Sequence, residues 1–137
     1  MNTQMKLEDI KVHVKIKLAA LWVSFMLLYT YVDYFSLYMP NHLEDMIRGK
    51  VFVFDITQSF IMIALGLSAI PMLMVFLSVA LPANINRLLN LVVAIIHIPY
   101  MLFNLAGEVW IHMVFAAVVE VVLLCLIIWY AWKWPRI

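Results

Sequence analysis

Residues 109–132 read VWIHMVFAAVVEVVLLCLIIWYAW. A run of this length, rising about 1.5 Å per residue as a helix, crosses a hydrocarbon core roughly 30 Å thick. Its polar interruptions are His112 and Glu120. Working outward, three more apolar blocks precede it, at 18–39, 56–81 and 85–106. A water-soluble core does not need four such blocks in 137 residues. The chain therefore reads as an all-α membrane protein, an antiparallel bundle of four transmembrane helices forming one domain over 1–137.

Composition agrees. Hydrophobic residues make up 67% and charged residues 12%, against roughly 45–50% and 25% in soluble domains. Mean hydropathy is +1.03. The spans take up almost all of the length, leaving no room among them for a separate soluble domain. The net charge of +1 says little about partners, because the charges are sorted by side. Cys125, the single cysteine, lies inside the fourth block and reads as a packing residue. No cleavable signal is expected, since the first block is too long for a signal core and no small-residue cleavage pattern closes it.

Four spans place both termini and the second connection on one side. That side holds Lys6, Lys11, Lys15, Lys17, Arg87, Lys133 and Arg136, whereas the other holds only Arg48 and Lys50. The positive-inside rule then puts both termini in the cytoplasm. Aromatic residues fit the same frame, with Tyr31, Tyr34, Tyr38 and Trp110 near the outer interface and Trp129, Tyr130, Trp132 and Trp134 near the inner one.

The connections carry local signals. Residues 1–17 alternate basic and apolar side chains, and Leu7, Ile10 and Val14 share a helical face. An unpaired strand at a bilayer surface leaves its backbone unsatisfied, so a short basic interfacial helix is expected there. In the first loop, Asn41-His42-Leu43-Glu44 reads as a capping box and Gly49 as a stop, which predicts a short outer-surface helix. Asp55-Ile56-Thr57-Gln58 reads as a second capping box and Asn84 as the cap of span three. Pro71 and Pro99 each remove a helix hydrogen bond and are expected to kink spans two and three. The short connections at 82–84 and around Gly107 make spans two, three and four sequential antiparallel neighbours.

The polar residues inside the blocks are the functional evidence, because they are costly there. On span three, Asn86, Asn90, His97 and Asn104 project within an arc of about 40° on a helix advancing about 100° per residue. Such a stripe points into the bundle, a partner or water, and interhelical hydrogen bonding explains asparagines there as well as function does. Span four adds Glu108, His112 and Glu120. Glu120 lies roughly 18 Å along the helix from Glu108, near the bilayer middle, and is expected to be neutral or paired. Span one adds Asp33, with Trp22, Met26, Tyr29 and Ser36 on its face. These depths suggest one polar cavity opening outward and floored by Glu120. Two histidines and several carboxylates are adequate metal ligands, yet Glu-x-x-x-His is a common chance spacing and no dense Cys/His motif supports it. No metal and no cofactor are expected. Phosphate-loop, nucleophile-elbow and nucleic-acid motifs are absent, so nucleic acid is not an expected partner.

Several stretches carry a family resemblance. They are Leu7-Glu8-Asp9-Ile10-Lys11-Val12, Val14-Lys15-Ile16-Lys17-Leu18, Ala20-Leu21-Trp22, Ile56-Thr57-Gln58, Ala69-Ile70-Pro71, Met74-Val75-Phe76-Leu77-Ser78, Asn86-Arg87, Gly107-Glu108 and Trp129-Tyr130-Ala131-Trp132-Lys133-Trp134-Pro135. Together they resemble, over nearly the whole chain, a small bacterial membrane family known only as a domain of unknown function. The resemblance implies a four-span bacterial inner-membrane protein and carries no activity with it.

The leading expectation is an outward-facing intramembrane pocket for a small ligand, a proton or an ion. Glu120 and His97 would form a buried titrating pair, Asp33 and His112 the entrance, and Tyr29, Asn90, Asn104 and Glu108 further lining. The alternatives are a membrane enzyme acting on a lipid or quinone-like substrate through Glu/His acid–base chemistry, and a scaffold or accessory subunit. Expected partners are the bilayer, a small molecule, lipid or ion, and a second copy in a homo-oligomer.

Overall fold

The computed structural model describes residues 5–107 and 109–137. Among them run α1 (Val14–Ser36), α2 (His42–Ile47), β1 (Lys50–Val51), β2 (Phe54–Asp55), α3 (Gln58–Ala80), α4 (Ala83–Phe103) and α5 (Ile111–Trp132). The helices α1, α3, α4 and α5 are each long and apolar enough to cross a membrane. The chain is thus a multi-pass membrane protein with an all-α four-span fold.

Each span buries one stripe. On α1 it is Val14, Leu18, Trp22 and Phe25; on α4 it is Asn86, Asn90, Val93, Ala94, His97 and Met101. On α5 it is Ala116, Ala117, Glu120, Leu124, Ile127 and Ala131. These spacings of three and four keep the side chains on one helical face. The α3 helix buries only Pro71, Met74 and Ser78, all in its second half. Packing is therefore closest at the end that carries the chain termini and looser at the opposite end. Outside the stripes stand apolar side chains such as Ile61, Leu65, Phe76, Ile96 and Val118, the surface a span turns to lipid.

The helix α1 packs extensively on α3 and α5, and α5 on α4. Contact between α3 and α4 is much slighter, although they are joined by residues 81–82. Their tie lies beside that connection, where Asn86 Nδ2 donates to the carbonyls of Ser78 at 2.6 Å and Leu81 at 3.3 Å. Both proline-containing helices run unbroken through Pro71 and Pro99.

Several terminal details differ from the sequence expectations. Residues 5–13 form no helix, so the basic interfacial helix is corrected to a non-helical lead. Leu7 and Ile10, which a helix would place on one face with Val14, both stand exposed. The helix starts instead at Val14, where the His13 ring accepts a hydrogen bond from the Lys15 amide. The outer helix α2 exists, but Asn41 sits at φ 70° and makes no side-chain cap bond. The capping box is therefore not formed. Thr57, not Asp55, caps α3 by accepting from the Phe60 amide at 3.1 Å. Asp55 instead pairs with Lys50 across a two-stranded hairpin that the sequence reading missed. Pro82, not Asn84, occupies the N-cap of α4, since proline already holds the extended φ that position needs.

Gly107 links α4 to α5 at φ +97°, beside the Phe52 ring of the hairpin turn. A Cβ there would fall 2.3 Å from that ring. The left-handed backbone favours glycine here, and any Cβ would also oblige the exposed Phe52 ring to swing aside.

Candidate functional site

Half of the polar stripe on α4 belongs to a closed hydrogen-bond network. Trp22 Nε1 donates to Asn90 Oδ1 at 2.7 Å, and Ser78 Oγ donates to the same oxygen at 3.3 Å. Asn90 Nδ2 in turn donates to the Asn86 carbonyl at 2.9 Å and to Asn86 Oδ1 at 2.7 Å. Indole is only a donor, so Trp22 fixes which end of the Asn90 amide faces it. Asn90 thus joins α1, α3 and α4 with its capacity used up, which makes it a structural tie rather than a ligand group.

About two turns farther along α4, His97 sits in an aromatic cage. Its ring centroid is 6.2 Å from Trp22, 6.0 Å from Phe25 and 6.0 Å from Tyr100, all edge-on. Nδ1 lies 2.8 Å from the Val93 carbonyl. A carbonyl only accepts, so Nδ1 carries the hydrogen and a neutral ring presents its lone pair at Nε2. Beside the cage, the Tyr29 and Tyr100 hydroxyls are 3.3 Å apart, tying α1 to α4.

Glu120 lies in the buried stripe of α5 at 4% exposure. Among the described residues no hydrogen bond or ion pair holds its carboxyl, so the expected Glu120–His97 pair is not made. His97 turns Nδ1 to the Val93 carbonyl of its own helix and packs beside Trp22 and Phe25 of α1. The charged group within electrostatic reach of Glu120 is Asp33 on α1, itself exposed. On α5, Ala116 lies one turn from Glu120 and His112 one turn beyond, so the three share a face. Ala116, itself buried, separates the two polar side chains on that face.

His112 stands at the N-terminal end of this face. Its ring is edge-on to Trp110 at 6.1 Å, and its Nε2 is buried with no hydrogen-bond partner among the described residues. Phe35, Tyr38, Met39, Trp110 and His112 line a groove of about 260 Å³ between the end of α1 and the start of α5. The Tyr34 hydroxyl, 3.0 Å from that of Tyr38, pushes the Tyr38 phenol above its ordinary pKa.

The remaining sequence candidates separate. Asn104 is exposed at the C-cap of α4, because the helix ends at Phe103 and the helical projection stops with it. Glu108 lies outside the described residues. Among those described, no three His, Cys, Asp or Glu side chains are grouped as a metal site would require. Sequence reasoning missed Tyr100 as the partner of Tyr29, although its spacing of three from His97 marks the shared face. It also missed the grip of Arg87 on α5, where Nε donates to the Ala131 carbonyl at 3.0 Å.

No curated protein and no solved structure matches the chain. A family of unknown function, DUF6326, matches residues 5–136, nearly the whole length, and the chain belongs to that family.

Proposed function

We propose that this is a bacterial inner-membrane protein, both termini cytoplasmic, whose intramembrane polar site takes up a proton or a small cation at Glu120 from the outer side. The observation that carries the reading is the isolation of Glu120, a buried carboxyl in a membrane span with no hydrogen-bond or cationic partner among the described residues. An unpaired carboxylate near the centre of a span costs about 2.5–3.5 kcal/mol on insertion scales. The group therefore carries its own proton or is neutralised by a bound cation, and exchange between these states is the chemistry such a position offers. His112, Ala116 and Glu120 give one helical face along which the exchange runs, with Asp33 attracting cations to it. The closed Trp22–Asn90–Asn86 network at the other end offers no continuation, so the reading is binding from one side rather than permeation.

A second reading is acid–base chemistry on a lipid or quinone-like molecule. It draws on the aromatic groove at His112 and on the buried, unpartnered Nε2 of that ring.

The test is the melting temperature of the detergent-purified chain as a function of pH. Glu120→Gln keeps shape and most hydrogen-bonding capacity while removing titration. The variant is expected to stay helical and to lose part of the pH dependence of the wild-type chain. Superimposable profiles would move the site away from Glu120.

A further inference from the structure

The end of the bundle that carries the termini has a feature independent of the Glu120 site. Three cations lie on aromatic faces around the last turn of α5. Lys17 Nζ is 5.2 Å from the Tyr130 ring centroid, Lys133 Nζ is 5.0 Å from Trp129, and the Arg87 guanidinium is 5.3 Å from Trp132. The rings of Trp129 and Tyr130 are themselves 4.9 Å apart, so Lys17 and Lys133 flank one aromatic pair. Among the described residues none of the three is in an ion pair: the one found is Lys50–Asp55, at the opposite end.

We propose that this collar of Lys17, Arg87 and Lys133 binds the headgroup of an anionic glycerophospholipid in the adjacent leaflet. Charge complementarity names the occupant, because three cations outside any ion pair, close to helix ends, lie where headgroup phosphates lie. Depth agrees, since Trp129 and Trp132 are 49% and 66% exposed in the isolated chain and mark the interface on that side. Arg87 is also pre-oriented. Its Nε is held by the Ala131 carbonyl and its Cζ lies over the Trp132 ring, while its two terminal nitrogens have no acceptor among the described residues. A guanidinium fixed in that way presents two parallel donors to a phosphate oxygen pair. Cation–π contact holds the two lysines near the same turn without consuming their charge.

The experiment is native mass spectrometry of the full chain in detergent, titrated with dioleoyl phosphatidylglycerol or dioleoyl phosphatidylcholine, with thermal stability measured alongside. Phosphatidylglycerol is expected to bind more tightly and to raise the melting temperature more, and both effects should shrink as salt rises. Lys133→Gln and Lys17→Gln, at exposed positions, should each weaken phosphatidylglycerol binding about fivefold, since a basic residue near the surface contributes about that factor. Arg87→Gln should weaken it more, and Arg87→Lys should recover part of the loss. Arg48→Gln, at the other end, should leave it unchanged. Equal binding of the two lipids, displacement of phosphatidylglycerol by an equivalent concentration of inorganic phosphate, or unchanged affinity in both lysine variants would overturn the proposal.

Discussion

Trp22 on α1 and Asn90 on α4 are joined by a 2.7 Å hydrogen bond between indole N–H and amide oxygen, both side chains fully buried. Where lipid replaces water as solvent, apolar contact alone gives helices little reason to choose one another, so packing and such bonds set the register. This bond draws in Ser78 and Asn86 and closes one end of the bundle.

Asn90→Leu is expected to destabilise the chain by about 1–3 kcal/mol, because it leaves the Trp22 indole N–H and the Asn86 amide oxygen buried without partners. Trp22→Phe should cost less on the hydrogen-bond side, since Asn90 keeps its bonds to Asn86. A double-mutant cycle in reversible detergent unfolding should give a coupling of about 0.6 kcal/mol and no more than about 1.7 kcal/mol. Additive effects would remove the bond from the account of stability.

Gly107→Ala should destabilise by about 1 kcal/mol or more through its left-handed backbone and the Phe52 ring. Gly49 has φ +83° and open space around it, so Gly49→Ala isolates the backbone part. Adding Phe52→Ala to Gly107→Ala should recover the difference, as read from the same unfolding assay.

Reporter fusions at Gly49 and at Ile137 should report opposite compartments, with the C-terminal fusion cytoplasmic. The α2–hairpin segment and the chain end lie at opposite ends of the antiparallel bundle, so matching signals would rule out four spans.

The spans were legible because each is a long, predominantly apolar run, and no local alternative buries so much. Helix starts were not, since several residues near each start can cap. Thr57 prevails over Asp55 because Asp55 is drawn to Lys50 by a hairpin that no strand-length pattern announces. The projection of Asn86, Asn90 and His97 onto one inward face follows from helical periodicity alone, and all three are buried. Their partners do not follow from it. A helical wheel says which way His97 points, but whether α1 or α5 stands opposite depends on how the spans assemble. The aromatic cage from α1 therefore occupies the place that Glu120 was expected to take.

The central claim is that Glu120 is an exchangeable carboxyl inside the membrane, and labelling with a hydrophobic carbodiimide tests it most directly. The reagent dissolves in the apolar core and reacts with the protonated carboxyl, which gives its proton to a carbodiimide nitrogen as its oxygen bonds to the central carbon, so the adduct reports both location and proton. Peptide mass spectrometry of the labelled full chain is expected to find the adduct at Glu120, to lose it in Glu120→Gln, and to show labelling that falls as pH rises through the group's titration. Labelling that spares Glu120 throughout the pH range, or that marks it equally at every pH, would contradict the account.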